Sequence, residues 1–367
     1  MRVLQVTGFL PPHYGGVESH VSGLSGQLSA LGVEVDVATS VGHASNGSRT
    51  MTCPPVVSVL GNPVMRGLRQ VIVEGGYDLV HVHTPPQVPA LQASRACKDA
   101  GVPYVLTYHC DGEVPHPVLG PAIPAFMRTV GNRILNGAER IIVTTAGYAS
   151  TSPYVGGREC SVIPLGVDTS RFSDEGDGAG VRARHGLDGR FVVGFVGRLV
   201  GHKGVDTLLS AMATMPGEDA GCLVVGDGPR RRDLMVHANA LGVGSAVFTG
   251  HVPDAALPCH YSAMDVLVLP SRSREEAFGL TLLEGMASGV PVTVSRIPGP
   301  SEVAGEGFAM IFERGDVEGL GECLSQLRED VDLRDRMGAR ARDAALDKYC
   351  WTKVAPRVLD LYEEVVG

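Results

Sequence analysis

Lysine is scarce in this chain: only four of its 31 basic residues are lysines, so arginine carries nearly all the positive charge. Against 40 acidic residues the net charge is −9, which excludes the broad basic footprint that nucleic acid demands. Cysteine pairs are also missing. Eight cysteines stand singly at 53, 97, 110, 160, 222, 259, 323 and 350, with no C-x-x-C spacing. A chain of 367 residues needs no disulfide staples, so reduced thiols in a cytoplasmic protein are expected. No apolar run reaches the roughly 18 residues of a membrane-spanning helix. The opening MRVLQVTGFLPP carries one positive charge and a short apolar stretch, and reads as a first strand rather than a leader. Despite 48 glycines there is no G-X-Y period and no long Gly/Ser tract, which excludes collagen-like and linker-like chains.

What is present is apolar material in alternating blocks. Hydrophobic residues make up 44% of the chain, and its length predicts two domains. Short β-branched runs alternate with helix-length amphipathic stretches, the pattern of parallel sheets with crossover helices. Strands are predicted at Val3–Thr7, Glu34–Ala38, Asp78–His83, Val102–Tyr108, Arg140–Thr144 and Cys160–Ile163, with helices such as Val17–Leu31 and Val88–Ala100 between them. Residues 169–189 are polar, rich in Gly and Asp and aperiodic, which marks a linker. The alternation then restarts, with strands at Phe191–Val196, Gly221–Val225, Ala246–Thr249, Val266–Leu269, Pro291–Val294 and Ala309–Ile311, a helix at Leu280–Ser288 and a helical tail over 316–364. The expected architecture is α/β, with two doubly wound parallel-sheet domains: 1–168, then the linker, then 190–349. Charge divides unevenly: residues 1–170 hold 10 basic against 11 acidic groups, leaving 21 against 29 for 171–367. The near-neutral half is the one able to approach an anionic surface.

A dinucleotide enzyme would show G-x-G-x-x-G after a first strand, and a P-loop protein a Walker spacing. Here the two first strands are followed by GFLPPHYGG and GRLVGHKG, which are neither. In the second loop Arg198 and Lys203 stand five apart across a glycine turn, where they can converge on one phosphate group as fork and point charge; two solvated surface cations would look the same. Further on, EEAFGLTLLE opens a helix near Gly279, whose first free N–H groups, from Gly279, Leu280 and Thr281, make an anion site. Glu276 precedes that helix and Glu284 lies within it, flanked by Leu282, Leu283 and Met286. A carboxylate in so apolar a helix needs a partner, and ribose hydroxyls would serve.

The ordered set GGVE near the start, VIPLGVD at 162–168, GRLVGHKG at 197–204, VGDGP at 225–229, EAFGLTLLE at 276–284 and the YCWTKVAPRVLDLYEEV tail resembles a retaining glycosyltransferase of family 4, over nearly the whole chain. The resemblance implies the GT-B fold, two Rossmann-like domains facing a central cleft, with the acceptor bound by the first and a nucleotide-sugar by the second. It also implies that a helix at about 350–367 returns to the first domain. Glu276 and Glu284 match the E-x7-E pair, the first facing donor sugar hydroxyls and the second holding ribose. Arg198 and Lys203 match the pair that grips the donor diphosphate, and Gly15 and Gly16 match the glycine loop that closes over phosphates. His109, in TYHCDGE, matches a histidine that contacts the donor sugar; Asp111 and Glu113 follow closely, and His13 is a further candidate. Glu302, in IPGPSEV, resembles a glycine-glycine-acidic loop, but here a single Gly299 stands between two prolines.

The implied reaction moves a hexose, mannose or glucose in kind, from a UDP- or GDP-linked donor to an acceptor hydroxyl by a front-face route. It needs no cofactor and no metal. The acceptor is left open among glycan, lipid-linked and small-molecule types. The apolar stretch 114–136, with Arg128 and Arg133, and the basic pair Arg66 and Arg69 in an earlier helix make peripheral contact with the inner face of a membrane an expectation for the N-terminal domain. A nucleotide-sugar epimerase and a catalytically silent sugar-nucleotide-binding subunit remain alternatives.

Overall fold

A computed structural model of the chain describes every residue except Tyr14, 45–47, Leu60, 112–121, 216–218 and Glu306, and gives only the backbone of 122–127. The candidate Glu113 and the first part of the 114–136 stretch fall outside the described residues. The chain forms two compact units, Met1–Gly166 with Trp351–Gly367, and Val167–Cys350.

The first unit contains β1 (Arg2–Val6), α1 (Gly16–Ala30), β2 (Glu34–Thr39), β3 (Arg49–Thr52), β4 (Pro55–Val59), β5 (Asn62–Met65), α2 (Leu68–Glu74) and β6 (Leu79–Thr84). It continues through α3 (Gln87–Ala100), β7 (Tyr104–Tyr108), α4 (Ala122–Gly137), β8 (Arg140–Val143), α5 (Ala146–Thr151) and β9 (Ser161–Val162). Seven strands form one parallel sheet in the order β3-β2-β1-β6-β7-β8-β9, while β4 and β5 pair as a separate antiparallel hairpin. Val6 lies beside Ala38 on one side and Val82 on the other, so the strand order reverses at β1. That reversal opens a crevice at the carboxyl ends of β1 and β6, the usual place for a ligand in such sheets. Every residue of β6, Leu79–Thr84, is buried, as expected for a central strand covered on both faces.

The second unit contains α6 (Ala179–His185), β10 (Phe191–Val196), α7 (Val205–Thr214), β11 (Ala220–Val225), α8 (Arg231–Ala240), β12 (Ala246–Gly250), α9 (Leu257–Ser262) and β13 (Val266–Leu269). Then follow α10 (Leu280–Ala287), β14 (Val292–Ser295), α11 (Pro300–Ala304), β15 (Ala309–Phe312), α12 (Val317–Glu329) and α13 (Val331–Ala344). Its six strands run parallel in the order β12-β11-β10-β13-β14-β15, with the reversal between β10 and β13. Phe195, Leu208, Val224 and Leu324 belong to one buried core that joins the sheet to α7 and α12.

The last helix, α14 (Trp351–Val366), belongs to the first unit. It packs along α1, and Trp351, Val354, Val358 and Tyr362 share one buried core with Val21, Leu24 and Leu28 of α1.

Three stretches depart from the sequence reading. Residues 169–189 are not an aperiodic linker: they carry α6, whose Arg182 bonds the Arg190 carbonyl at 3.1 Å and Asp265 at 2.9 Å. Seven residues are too few for hydrophobic periodicity to stand out, and a half-buried ion pair fixes the helix instead. The helical tail is interrupted. Asp330 both ends α12 and caps α13, accepting from the Leu333 N–H at 2.8 Å, and a π-helical turn, Ala345–Tyr349, precedes α14. Arg66 lies ahead of α2 and only Arg69 within it, and β3 and the β4–β5 hairpin are elements that the sequence reading lacks.

Candidate active site

In the second unit, the loops after β10 and β13 meet at the strand-order reversal. Gly204 has φ +67°, and a Cβ there would lie 2.0 Å from the Pro270 carbonyl oxygen, so only glycine lets the two loops touch. The Arg272 N–H donates to the His202 carbonyl at 2.7 Å, and Ser295 Oγ to the Ser271 carbonyl at 2.5 Å, which ties the second loop down on both sides. Arg272 also reaches Asp206 at 2.9 Å and Thr207 at 3.1 Å.

On that frame Lys203 Nζ donates to Glu276 Oε2, which also accepts from Ser271 Oγ at 3.1 Å. Both members of the pair are largely enclosed, at 17% and 10% side-chain exposure, so each is costly to leave alone. Beside them His202 bonds the Glu275 carboxylate. That bond holds Glu275 below the usual carboxylate range against the effect of burial, and the charges of Arg198 and Lys203 add to it. Arg198 itself is exposed. The structure therefore gathers Arg198, His202, Lys203, Glu275 and Glu276 at one place. His202, Glu275 and Ser271 are absent from the sequence reading, because nothing in their spacing distinguishes them from ordinary loop residues.

Helix α10 starts just after this cluster. Gly279 precedes it at φ +84°, a left-handed conformation that favours glycine, and Leu282 N–H already bonds the Gly279 carbonyl at 2.8 Å. The N–H groups of Leu280 and Thr281 come before any helical acceptor and remain available. One turn into the helix, Glu284 accepts from the Tyr261 hydroxyl at 2.6 Å. Burial raises the Glu284 carboxyl to about 7; the Tyr261 bond and the Arg171 charge pull it back, and Asp254 pushes it further. Tyr261 is fully buried, edge-on to Phe172 at 5.6 Å, and burial pushes its own hydroxyl well above the usual range, so it stays a donor. It too went unseen in the sequence. The only D-x-D spacing in the chain, Asp330-Val331-Asp332, is spent on the cap of α13.

In the first unit, Gly15 caps α1 with extended backbone, Gly16 is its first residue, and Glu18 folds back to His13 Nδ1 at 3.0 Å. His109 follows β7. Its N–H donates to the Thr84 carbonyl at 2.8 Å, and its Nε2 lies 3.1 Å from His83 Nδ1. Burial holds both rings well below the ordinary histidine range, so both are neutral at pH 7. Asp111 has a structural post: it accepts from the hydroxyls of Tyr108 at 2.9 Å and Ser152 at 2.6 Å. His81 bonds Tyr362 at 2.5 Å and Thr107 at 2.6 Å, which anchors α14 to the sheet. Glu302 sits inside the short helix α11.

Two parallel-sheet Rossmann-like units describe the GT-B class of glycosyltransferases. Residues 14–171 match the model described as Glycosyltransferase Family 4, and residues 181–344 the model described as Glycosyl transferases group 1. A GDP-mannose-dependent alpha-(1-6)-phosphatidylinositol monomannoside mannosyltransferase of Mycobacterium tuberculosis is 30% identical over 98% of this chain and 97% of its own. A D-inositol 3-phosphate glycosyltransferase of Corynebacterium jeikeium is 29% identical over 96% of this chain and 92% of its own. Among solved structures, sucrose-phosphate synthase from Thermosynechococcus elongatus superposes with a TM-score of 0.82 at 23% identity, covering 99% of this chain and 98% of that one. The chain belongs to glycosyltransferase family 4, and it is a glycosyltransferase.

Proposed function

We propose that this enzyme takes mannose from GDP-mannose and adds it, with retention of anomeric configuration and without a metal, to a hydroxyl of an inositol-phosphate-bearing acceptor. The relatives named above support the donor and acceptor. The observation that carries the donor site is the Lys203–Glu276 contact directly before the open N–H groups of α10.

On this reading Lys203 and Arg198 take the donor diphosphate, with the N–H groups of Leu280 and Thr281 behind it, and Glu276 turns from Lys203 to the sugar hydroxyls. Glu284 accepts from the ribose. Gly15 and Gly16 keep the start of α1 open to phosphate, and His109 hydrogen-bonds the donor sugar. The sugar C1–oxygen bond breaks with its electron pair passing to the diphosphate. The acceptor oxygen bonds C1 on the same face, and its proton passes to the departing phosphate oxygen. The protein's task is to hold positive charge where negative charge develops, which Lys203, Arg198 and a helix terminus can do.

A lipid-bound acceptor would bring the first unit to a membrane surface, and the exposed Arg66, Arg128 and Arg133 support peripheral contact. Among the described residues no helix is long and apolar enough to cross a membrane.

The test incubates the purified chain with GDP-mannose, UDP-glucose or ADP-glucose against inositol 3-phosphate and phosphatidylinositol mannoside, and reads products by mass spectrometry and anomeric NMR. Transfer from GDP-mannose with the donor's anomeric configuration is expected. Preference for a UDP- or ADP-sugar, inversion, or turnover without any acceptor would overturn the proposal.

A further inference from the structure

Three histidines from separate elements meet inside the first unit: His20 on α1, His83 on β6 and His109 after β7. All three are buried, and one ring nitrogen of each lies within 4.8 Å of the others. His83 Nδ1 and His109 Nε2 are 3.1 Å apart, while two imidazole nitrogens on one tetrahedral metal at 2.0–2.1 Å would stand about 3.4 Å apart. The two nitrogens already stand near that separation, and the rings would tilt so that both lone pairs meet at one ion. Behind them His83 Nε2 lies 2.8 Å from Gln5 Oε1, the outward support that orients a metal-bound imidazole.

His20 supplies an independent observation. Its ring packs against His109 and His83 with centroids 5.3 and 5.8 Å away, and its Nδ1 is buried with no hydrogen-bond partner among the described residues. An orphaned buried nitrogen of this kind is costly to keep, and a cation would satisfy it. His81, though adjacent at 4.2 Å between centroids, is not part of the set, since both its nitrogens are bonded to Tyr362 and Thr107. An imidazole binds a cation through its unprotonated nitrogen, so the N–H between His83 and His109 must only pass to the other nitrogen of the ring that carries it.

We infer that His20, His83 and His109 form a three-histidine site for one borderline divalent cation such as Zn²⁺, and that filling it inhibits sugar transfer by engaging His109. Binding stands on the geometry alone; the inhibition rests on the proposed role of His109. On the proposed reading the transfer uses no metal, so the ion competes with it.

The test adds Co²⁺, as a spectroscopic probe, and Zn²⁺, by calorimetry, to the metal-free full-length chain. One equivalent should bind, with the visible absorption of low-coordinate cobalt. His20→Gln and His109→Gln should each weaken binding at least about tenfold, while His13→Gln and His237→Gln leave it unchanged. X-ray absorption at the zinc edge of the wild-type chain should show three imidazoles, and this reading stands even where a variant fails to fold. No stoichiometric binding, binding insensitive to His20→Gln, or fewer than three imidazoles would overturn the site. Zinc should inhibit wild-type transfer, with chelator reversing it, and should inhibit His20→Gln much less. Cobalt binding in a chain that transfers no mannose would leave the site standing and remove the proposed function instead.

Discussion

Glu284 offers the sharpest test of the donor site, because its environment works against its own charge. Its carboxyl is raised from the ordinary 4.5 to about 7 by burial. At about 1.4 kcal/mol per decade of proton affinity, ionising it in the folded chain costs about 3 kcal/mol more than in the unfolded chain. The sign follows from proton counting. Between about pH 4.5 and pH 7 the folded state holds a proton that the unfolded state has lost, so stability falls as pH rises through that window and levels off above it. The substitution Glu284→Gln removes the titration and keeps an acceptor for the Tyr261 hydroxyl. It should therefore be near neutral at pH 5 and stabilising by up to about 3 kcal/mol at pH 8, an increase in Tm on the order of 6–12 °C for a unit of this size. The same substitution should weaken binding of GDP-mannose, since a carboxylate is a stronger acceptor for ribose hydroxyls than an amide. Stability bought at the cost of the ligand is the usual mark of a functional group. Urea or thermal unfolding of both proteins at pH 5 and pH 8 measures the effect. A Glu284→Gln chain that gains no stability between those pH values would refute the reasoning. In the wild type, the donor KM should rise up to about tenfold from pH 8 to pH 6, as the carboxylate fraction falls.

Three further outcomes are expected. Lys203→Ala should cut kcat by about 100–1,000-fold with an unchanged circular dichroism spectrum; near wild-type turnover would remove the phosphate clamp. Glu276→Gln should separate two functions of one residue, tightening GDP, because Lys203 is released, while lowering transfer, and calorimetry beside a transfer assay would show whether both move together instead. Gly279→Ala should cost about 1–2 kcal/mol from its left-handed backbone, with a Cβ 3.0 Å from Leu269 Cδ2 adding to it, read as a lower Tm and weaker donor binding.

Much of this was legible in the sequence because parallel sheets write themselves plainly. Buried strands such as Phe191–Val196 and Val266–Leu269 are unbroken apolar runs, and both are observed at those bounds. The fold class and the family followed from motif order. The short elements did not: α6 is held by Arg182 and Asp265, while β3 and the two hairpin strands are only four or five residues long and are held by the strands they pair with. The site was legible only where a residue type or a glycine punctuates the loop. Lys203 stands out as one of four lysines, whereas Tyr261, Ser271 and His20 matter through neighbours that only folding supplies. The glycines show the same division, since Gly204 and Gly279 have a required backbone shape, while Gly15 sits in extended backbone that any residue adopts.

The membership of α14 in the first unit orders the life of the chain. The second unit, Val167–Cys350, is inserted into the first, whose returning segment Trp351–Gly367 is synthesised only after the whole insert. On the ribosome the inserted unit has all its sequence before its host does, and the core that Val21, Leu24 and Leu28 share with the sheet stays incomplete until Trp351, Val354 and Val358 arrive. The nascent chain is therefore exposed to aggregation until α14 arrives, and a nonsense mutation ahead of Trp351 would leave a finished second unit attached to a first unit with an open core.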